Sequence, residues 1–254
     1  MSMLRTAVPL MILPVFLGIS CSSGETTLQE TQSAPPAGEA SFPPCREDPM
    51  AHVHRPTRLE VIENCVSASG TVKDVRFKSH DGDYWVLVDP DPEYTDLLAP
   101  SNEGVLLSEV IPTDQPSVFI PEVGQHATFY GTLVADKGHD RWVEIHPTWL
   151  ITTLDVAIDV PSSVPIGDEL GVSVTVNSTF QGTSSPVSLA SLFLEMVSED
   201  GETIRWEAAQ TNTAGVASLT FTVLESPGDY VLWVYASKDH ESGFANATFR
   251  IRHR

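Results

Sequence analysis

Residues 66–78 read VSASGTVKDVRFK. Val66, Thr71, Val72, Val75 and Phe77 give the run the β-branched and aromatic weight of a strand, and it is long for one, since most strands have about 5–6 residues. Ser69-Gly70-Thr71 sits in its middle. A glycine inside a strand marks a bend or a close backbone approach, so this stretch predicts one strongly bent strand shared between two sides of a small barrel. Ser79-His80-Asp81-Gly82-Asp83 is turn chemistry and returns the chain as a hairpin into a second strand over 84–89. Further strand-like runs at 105–111, 126–135 and 142–151 bring the number to five. Between them, Pro90, Pro92 and Pro100 interrupt strand pairing and leave 93–98 for a single helical turn.

Five runs in this order resemble the OB fold, a five-stranded Greek-key barrel. The resemblance covers residues 58–152. It is carried by Gly70-Thr71-Val72-Lys73-Asp74-Val75, by Asp81-Gly82-Asp83-Tyr84, by Pro121-Glu122-Val123-Gly124-Gln125-His126 with Phe129-Tyr130-Gly131, and by Trp142 to Trp149 at the end. The family it points to, exported prokaryotic OB-like domains, has no assigned activity and implies no catalytic residues. Many OB folds bind single-stranded nucleic acid or sugars on aromatic platforms. Trp85, Tyr94 and Trp142, with His146, are the candidate ligand-binding residues here. Nucleic acid needs an electropositive groove, whereas residues 58–152 hold 16 acidic against 6 basic side chains. A neutral sugar or another protein is the better fit, and filling of the core and barrel ends is the alternative role for these rings.

Two polar groupings in this region are chemically suggestive. Glu144 and His146 stand two apart on a strand and therefore on one face; with His139 nearby they are a candidate metal or proton-sharing pair, and the basis for an alternative reading as a metal-dependent enzyme. Asp81, Asp83, Asp89 and Asp91, with Glu93, are dense enough in carboxylates for calcium, although they lack the spacing of a calcium-binding helix-loop-helix. No phosphate-binding loop, Gly-x-Ser-x-Gly elbow or His-Glu-x-x-His helix occurs. No catalytic residue and no cofactor is therefore implied.

From residue 154 to 251 apolar residues alternate cleanly: Val156, Ile158, Val160; Val172, Val174, Val176; Leu192, Leu194, Met196; Leu219, Phe221, Val223; Val231, Trp233, Tyr235; Phe249, Ile251. A weaker run at 203–209 makes seven strands, the number of a two-sheet sandwich. Glu199-Asp200-Gly201-Glu202 and Ser226-Pro227-Gly228-Asp229 are expected to be hairpin turns. The stretch resembles bacterial and archaeal Ig-like domains of surface proteins, on Gln210-Thr211-Asn212-Thr213-Ala214-Gly215-Val216-Ala217 followed by Pro227-Gly228-Asp229-Tyr230. That resemblance implies a spacer or adhesive module.

The remaining residues concern location. Residues 1–20 combine one early positive charge with an apolar run from Ala7 to Ile19, shorter than the roughly 20 residues of a membrane span, and read as a signal peptide. Leu17-Gly18-Ile19-Ser20-Cys21 resembles the lipobox of prokaryotic lipoproteins, which implies lipidation of Cys21; a secreted protein cut at the same place without lipid is the alternative. Residues 21–44 are rich in Ser, Thr, Gln, Glu, Ala and Pro and are expected to form a disordered tether. With Cys21 lipidated, Cys45 and Cys65 remain and are expected to pair in an oxidising compartment, the competing use being a metal site with His52 and His54.

The full chain of 254 residues carries 34 acidic and 14 basic side chains, net −20, which disfavours nucleic acid and anionic membrane surfaces. The expected organisation is all-β: signal peptide 1–20, lipidated tether 21–44, OB-like barrel 45–152, Ig-like sandwich 153–254. The expected role is that of an exported lipoprotein on the outer face of the cytoplasmic membrane or cell envelope. It is anchored to the bilayer through Cys21 and acts as a non-catalytic binding or structural module for a protein or carbohydrate ligand.

Overall fold

The computed structural model describes residues 45–207 and 210–254, with backbone only at 205–207. The signal peptide, Cys21 and the tether over 21–44 lie outside the described residues. Within them the chain is all-β, its helical content confined to short 3₁₀ turns, and no helix is long and apolar enough to cross a membrane.

Five strands, β1 (Leu59–Phe77), β2 (Tyr84–Pro90), β3 (Leu106–Val110), β4 (His126–Asp136) and β5 (Trp142–Thr152), close into a barrel in the order β1-β2-β3-β5-β4. The bent first strand is as expected: β1 pairs with β4 from Leu59 to Thr71 and with β2 from Gly70 to Phe77, with a bulge between Val72 and Asp74. Gly70 stands where the two ladders meet. A Cβ there would lie 2.3 Å from the Asp89 carbonyl oxygen, so only a glycine lets the strands approach this closely. Alternation directs Val72, Val86, Val88, Leu106, Val110, Phe129, Leu133 and Ile145 into the barrel. One end is filled by Tyr94, Leu97, Leu98 and Ala99 from the 3₁₀ turn Pro92–Leu97 and its sequel. There Asn102, 1% exposed, accepts from the backbone of Ala99 and Val143 and donates to the carbonyls of Val105 and Val143.

β1 begins earlier than the sequence run suggests, so Cys65 lies inside it. The Cys45–Cys65 disulfide is formed, with Cα atoms 5.5 Å apart. The loop it closes lies against the outer wall of the barrel, where Met50, Val53, Leu59, Ile111 and Val134 make a small apolar cluster of their own. Arg46 anchors it by donating to both carboxylate oxygens of Asp114 (2.6 and 3.1 Å) while its guanidinium lies 5.0 Å from the Trp149 ring centre. The other end is fixed by Arg58 to Asp136 at 3.1 Å.

The second half forms two facing sheets. One has the order β11 (Thr203–Glu207), β10 (Ser191–Ser198), β13 (Gly228–Lys238), β14 (Glu241–Arg252), β7 (Ser163–Pro165); the other runs β12 (Val216–Thr222), β8 (Glu169–Phe180), β6 (Leu154–Asp159), with β9 (Thr183–Pro186) added to β8. The seven expected strands are present; β7 and β9 are short additions that alternation over so few residues does not reveal. The turn at 199–202 is the expected hairpin between β10 and β11. The one at 226–229 is not: β12 and β13 belong to different sheets, so Ser226-Pro227-Gly228-Asp229 carries the chain across the sandwich. Turn residues signal that a chain reverses, not which sheet receives it. Leu170, Val172, Val174, Leu194, Met196, Leu232, Val234 and Ile251 fill the space between the sheets. In the Thr211–Gly215 turn the Asn212 carboxamide oxygen accepts from Ala214 and Val216, and the Thr211 hydroxyl donates to the Val187 carbonyl at 2.6 Å. Gly215 takes a positive φ of 71°, and a Cβ there would lie 2.5 Å from the Val176 carbonyl oxygen.

Barrel and sandwich are joined by more than the chain. Gln181 N–H donates to the Gly124 carbonyl (2.6 Å). The Gln125 carboxamide donates to Glu241, and the Tyr130 and Phe244 rings pack 5.5 Å apart.

Candidate functional site

The residues that alternate with the barrel core point outwards. On β3 that set includes Leu107, Glu109 and, just beyond the strand, Ile111; on β5 it includes Glu144 and His146. The register brings them together: Trp85 of β2 is opposite Glu109, Leu107 of β3 opposite Glu144, and Val134 of β4 also opposite Glu144. Asp83 immediately precedes β2 and joins the same patch. The patch is outside the barrel yet closed to water, because the apolar cluster under the disulfide loop flanks it through Ile111 and Val134. Asp83 is 2%, Glu109 1%, Glu144 2% and His146 1% exposed.

His146 Nδ1 lies 3.1 Å from Glu144 Oε1 and 3.2 Å from Glu109 Oε2. Its other nitrogen, Nε2, has no hydrogen-bond partner, nor does Glu109 Oε1. One ligand-type atom from each of Asp83, Glu109 and His146 lies within 4.8 Å of the other two. Burial pushes the Glu109 carboxyl up to about 8, with the charges of Glu144 and Asp83 adding to the rise and His146 opposing it. Burial likewise raises Glu144 to about 8, helped by Asp136 and opposed by Arg58 and His139. Asp83 is also raised, by burial and then by Asp81. Three carboxyls and an imidazole thus share a dry volume in which Coulomb forces are weakly screened.

His146 pairs with Glu144, as the two-residue spacing predicts, but on a buried wall rather than at the surface. His139 does not join them. Its Nδ1 is 2.5 Å from Asp136, which also takes Arg58 and the Gly138 N–H (2.7 Å). The expected calcium cluster is dispersed. Asp81 pairs with His80 (2.6 Å), Asp89 with Lys73 (3.8 Å), and Asp91 accepts from Ser69 and pairs with His126 at 2.9 Å. Only Asp83 enters the acidic patch, facing Glu109. Burial works against ionised Asp91, but the bonds from Ser69 and His126 prevail and hold it below the usual carboxylate range. With Cys45 and Cys65 oxidised, a thiolate site with His52 and His54 is ruled out, and both histidines are exposed.

The aromatic candidates do not form one platform. Trp85 stands across from Glu109 with the Lys78 ammonium 3.6 Å from its ring centre. Tyr94 packs on the barrel core, and Trp142 opens β5 opposite Asp136. Sequence reasoning passed over Glu109. Its signal was a lone carboxylate inside the apolar run Val105-Leu106-Leu107-Ser108-Glu109-Val110-Ile111, where burial on both faces leaves no water for it.

No family model and no curated protein matches the chain. Among solved structures it is similar to a superoxide reductase (neelaredoxin) from Ignicoccus hospitalis, at 14% identity and TM-score 0.30, over 38% of this chain and 80% of that one. It is also similar to a putative superoxide reductase from Thermotoga maritima, at 11% identity and TM-score 0.29, over 39% and 86%. A CARDB domain from Pyrococcus furiosus in complex with di-metal ions matches at 14% identity and TM-score 0.27, over 39% and 87%. Likenesses of this depth bear on neither residues nor activity.

Proposed function

We propose that the chain is an exported lipoprotein, held through Cys21 on the outer face of the cytoplasmic membrane or cell envelope, whose barrel and sandwich serve as a non-catalytic binding or structural module. The observation that carries this reading is the Cys45–Cys65 disulfide in the barrel wall, a bond that persists in oxidising compartments and is rare in the cytosol. The net charge of −20 favours a protein or neutral carbohydrate partner over nucleic acid. The alternative, a metal-dependent enzyme built on Glu144 and His146, gains support from the clustering of these residues with Glu109. Against it stands their burial, since at 1–2% exposure no substrate reaches them in this arrangement. Anchoring is tested by Cys21→Ala: the variant is expected in the soluble exported fraction. Retention in membranes as firm as that of the parent rejects the lipid anchor.

A further inference from the structure

The patch on the barrel wall gathers more buried carboxyls than it has partners for. Three carboxyls, Asp83, Glu109 and Glu144, are within 2% of full burial, and Arg58, the one guanidinium acting on Glu109 and Glu144, is itself bonded to Asp136. Buried charges in proteins are paired or bind metals. Two ligand-type atoms here lack a partner although no water reaches them, Glu109 Oε1 and His146 Nε2. A buried acceptor left unmade costs about 1–3 kcal/mol, more if charged, so each is an opening for a ligand that supplies positive charge.

We infer that Asp83, Glu109 and His146 bind one divalent transition-metal ion, with Glu144 orienting the imidazole. Ligand atoms about 2.0–2.2 Å from a common ion stand roughly 3–3.5 Å apart. The triangle, already within 4.8 Å on every side, closes on an ion with movements of less than about 1 Å per atom. Nδ1 faces Glu144 Oε1 at 3.1 Å and Glu109 Oε2 at 3.2 Å, which leaves the partnerless Nε2 and Glu109 Oε1 for the ion and gives Glu144 the role of the carboxylate that fixes the ring of a metal-bound histidine and raises its basicity. The donor set, one imidazole and carboxylates without a thiolate, suits Zn²⁺ or Mn²⁺; Ca²⁺ and Mg²⁺ prefer oxygen alone.

The position gives the ion a structural task. The barrel closes through the parallel pairing of β3 with β5, registered only at Leu107–Glu144 and Ser108–Ile145, the shortest ladder in the ring. Asp83 borders β2, Glu109 belongs to β3 and His146 to β5, so one ion ties three strands across that seam. The inference is independent of export and lipidation; it shares His146 and Glu109 with the alternative enzyme reading, but gives the ion a structural rather than a catalytic task.

The test uses the full chain without a histidine tag, unfolded in chelator, refolded, and offered Zn²⁺, Mn²⁺, Ca²⁺ or Mg²⁺ singly. The native chain is expected to retain about one Zn²⁺ or Mn²⁺ through gel filtration and to melt at a higher temperature with it. Glu109→Gln and Asp83→Asn should lose the ion, and Glu144→Gln should weaken it about 10–100-fold. No retained ion, retention of Ca²⁺ or Mg²⁺ alone, or equal retention by the first two variants overturns the site. Should those variants fail to fold, pulsed EPR of the Mn²⁺-loaded native chain decides: nitrogen hyperfine coupling from one imidazole supports the site, and its absence overturns it.

Discussion

Glu109 has an apolar sequence neighbour on one side, a serine on the other, and a carboxyl that water does not reach. Its behaviour fixes how the metal-free barrel responds to pH. Because burial raises Glu109 and Glu144 from 4.5 to about 8, the folded chain holds protons that the unfolded chain has released. Stability from this source is greatest below the unfolded value of 4.5 and falls as pH rises towards about 8. Urea midpoints of metal-free protein are therefore expected to drop between pH 5.5 and 8, and Glu109→Gln should flatten that fall. A variant with the parent's slope would show that Glu144 and Asp83, whose carboxyls burial also raises, carry the dependence instead. The sequence revealed Glu144 and His146 as a pair because strand alternation acts over two residues. It did not reveal Glu109 and Asp83 as their companions, since that depends on the register of a parallel ladder between β3 and β5, which no local pattern encodes.

Among the elements, β1 and the loop before it are the most telling. The bend at Gly70 was legible because a glycine weakens a long β-branched run unless the backbone must bend or pass close to another strand there. The early start of β1 was not, for Glu60, Glu63 and Asn64 look like loop residues until β4 is alongside. The disulfide closes a loop of sequence separation 20, for which chain entropy gives roughly 3 kcal/mol. Reduction is expected to lower the stability of the barrel by at most about that amount and to leave the sandwich, which has no cysteine, unchanged. Hydrogen exchange read separately over 59–152 and 154–252 measures both, and equal loss in the two regions would contradict the assignment of the loop to the barrel wall. At the crossing turn Ser226–Asp229 the limit is of another kind: Pro-Gly-Asp marks a reversal, while the destination is chosen by which sheet buries Tyr230 and Leu232.

For the molecule as a whole, the two halves were legible through their different alternation, and their joint was not. Gln125 with Glu241 and Tyr130 with Phe244 are contacts between residues more than a hundred apart, with nothing local to announce them. The sandwich core is nevertheless drawn from Leu154 to Ile251 alone. A fragment beginning at Thr153 should therefore melt cooperatively, at a lower temperature than the same region in the full chain, because Phe244 and Glu241 lose their barrel partners. A flat melting curve would mean that the sandwich depends on the barrel to fold.

Closure also decides where such a chain is open to its neighbours. A ring of strands has no first or last member, so the barrel has no edge strand for another chain to extend. The sandwich does have margins, and two of them are guarded. β6 displays Asp155 and Asp159 to solvent, and β7 is only three residues long and ends in Pro165. β12, Val-Ala-Ser-Leu-Thr-Phe-Thr over 216–222, has neither charge nor proline, and its exposed side chains are Ser218, Thr220 and Thr222. It is the margin on which strand-to-strand joining between molecules meets the least resistance.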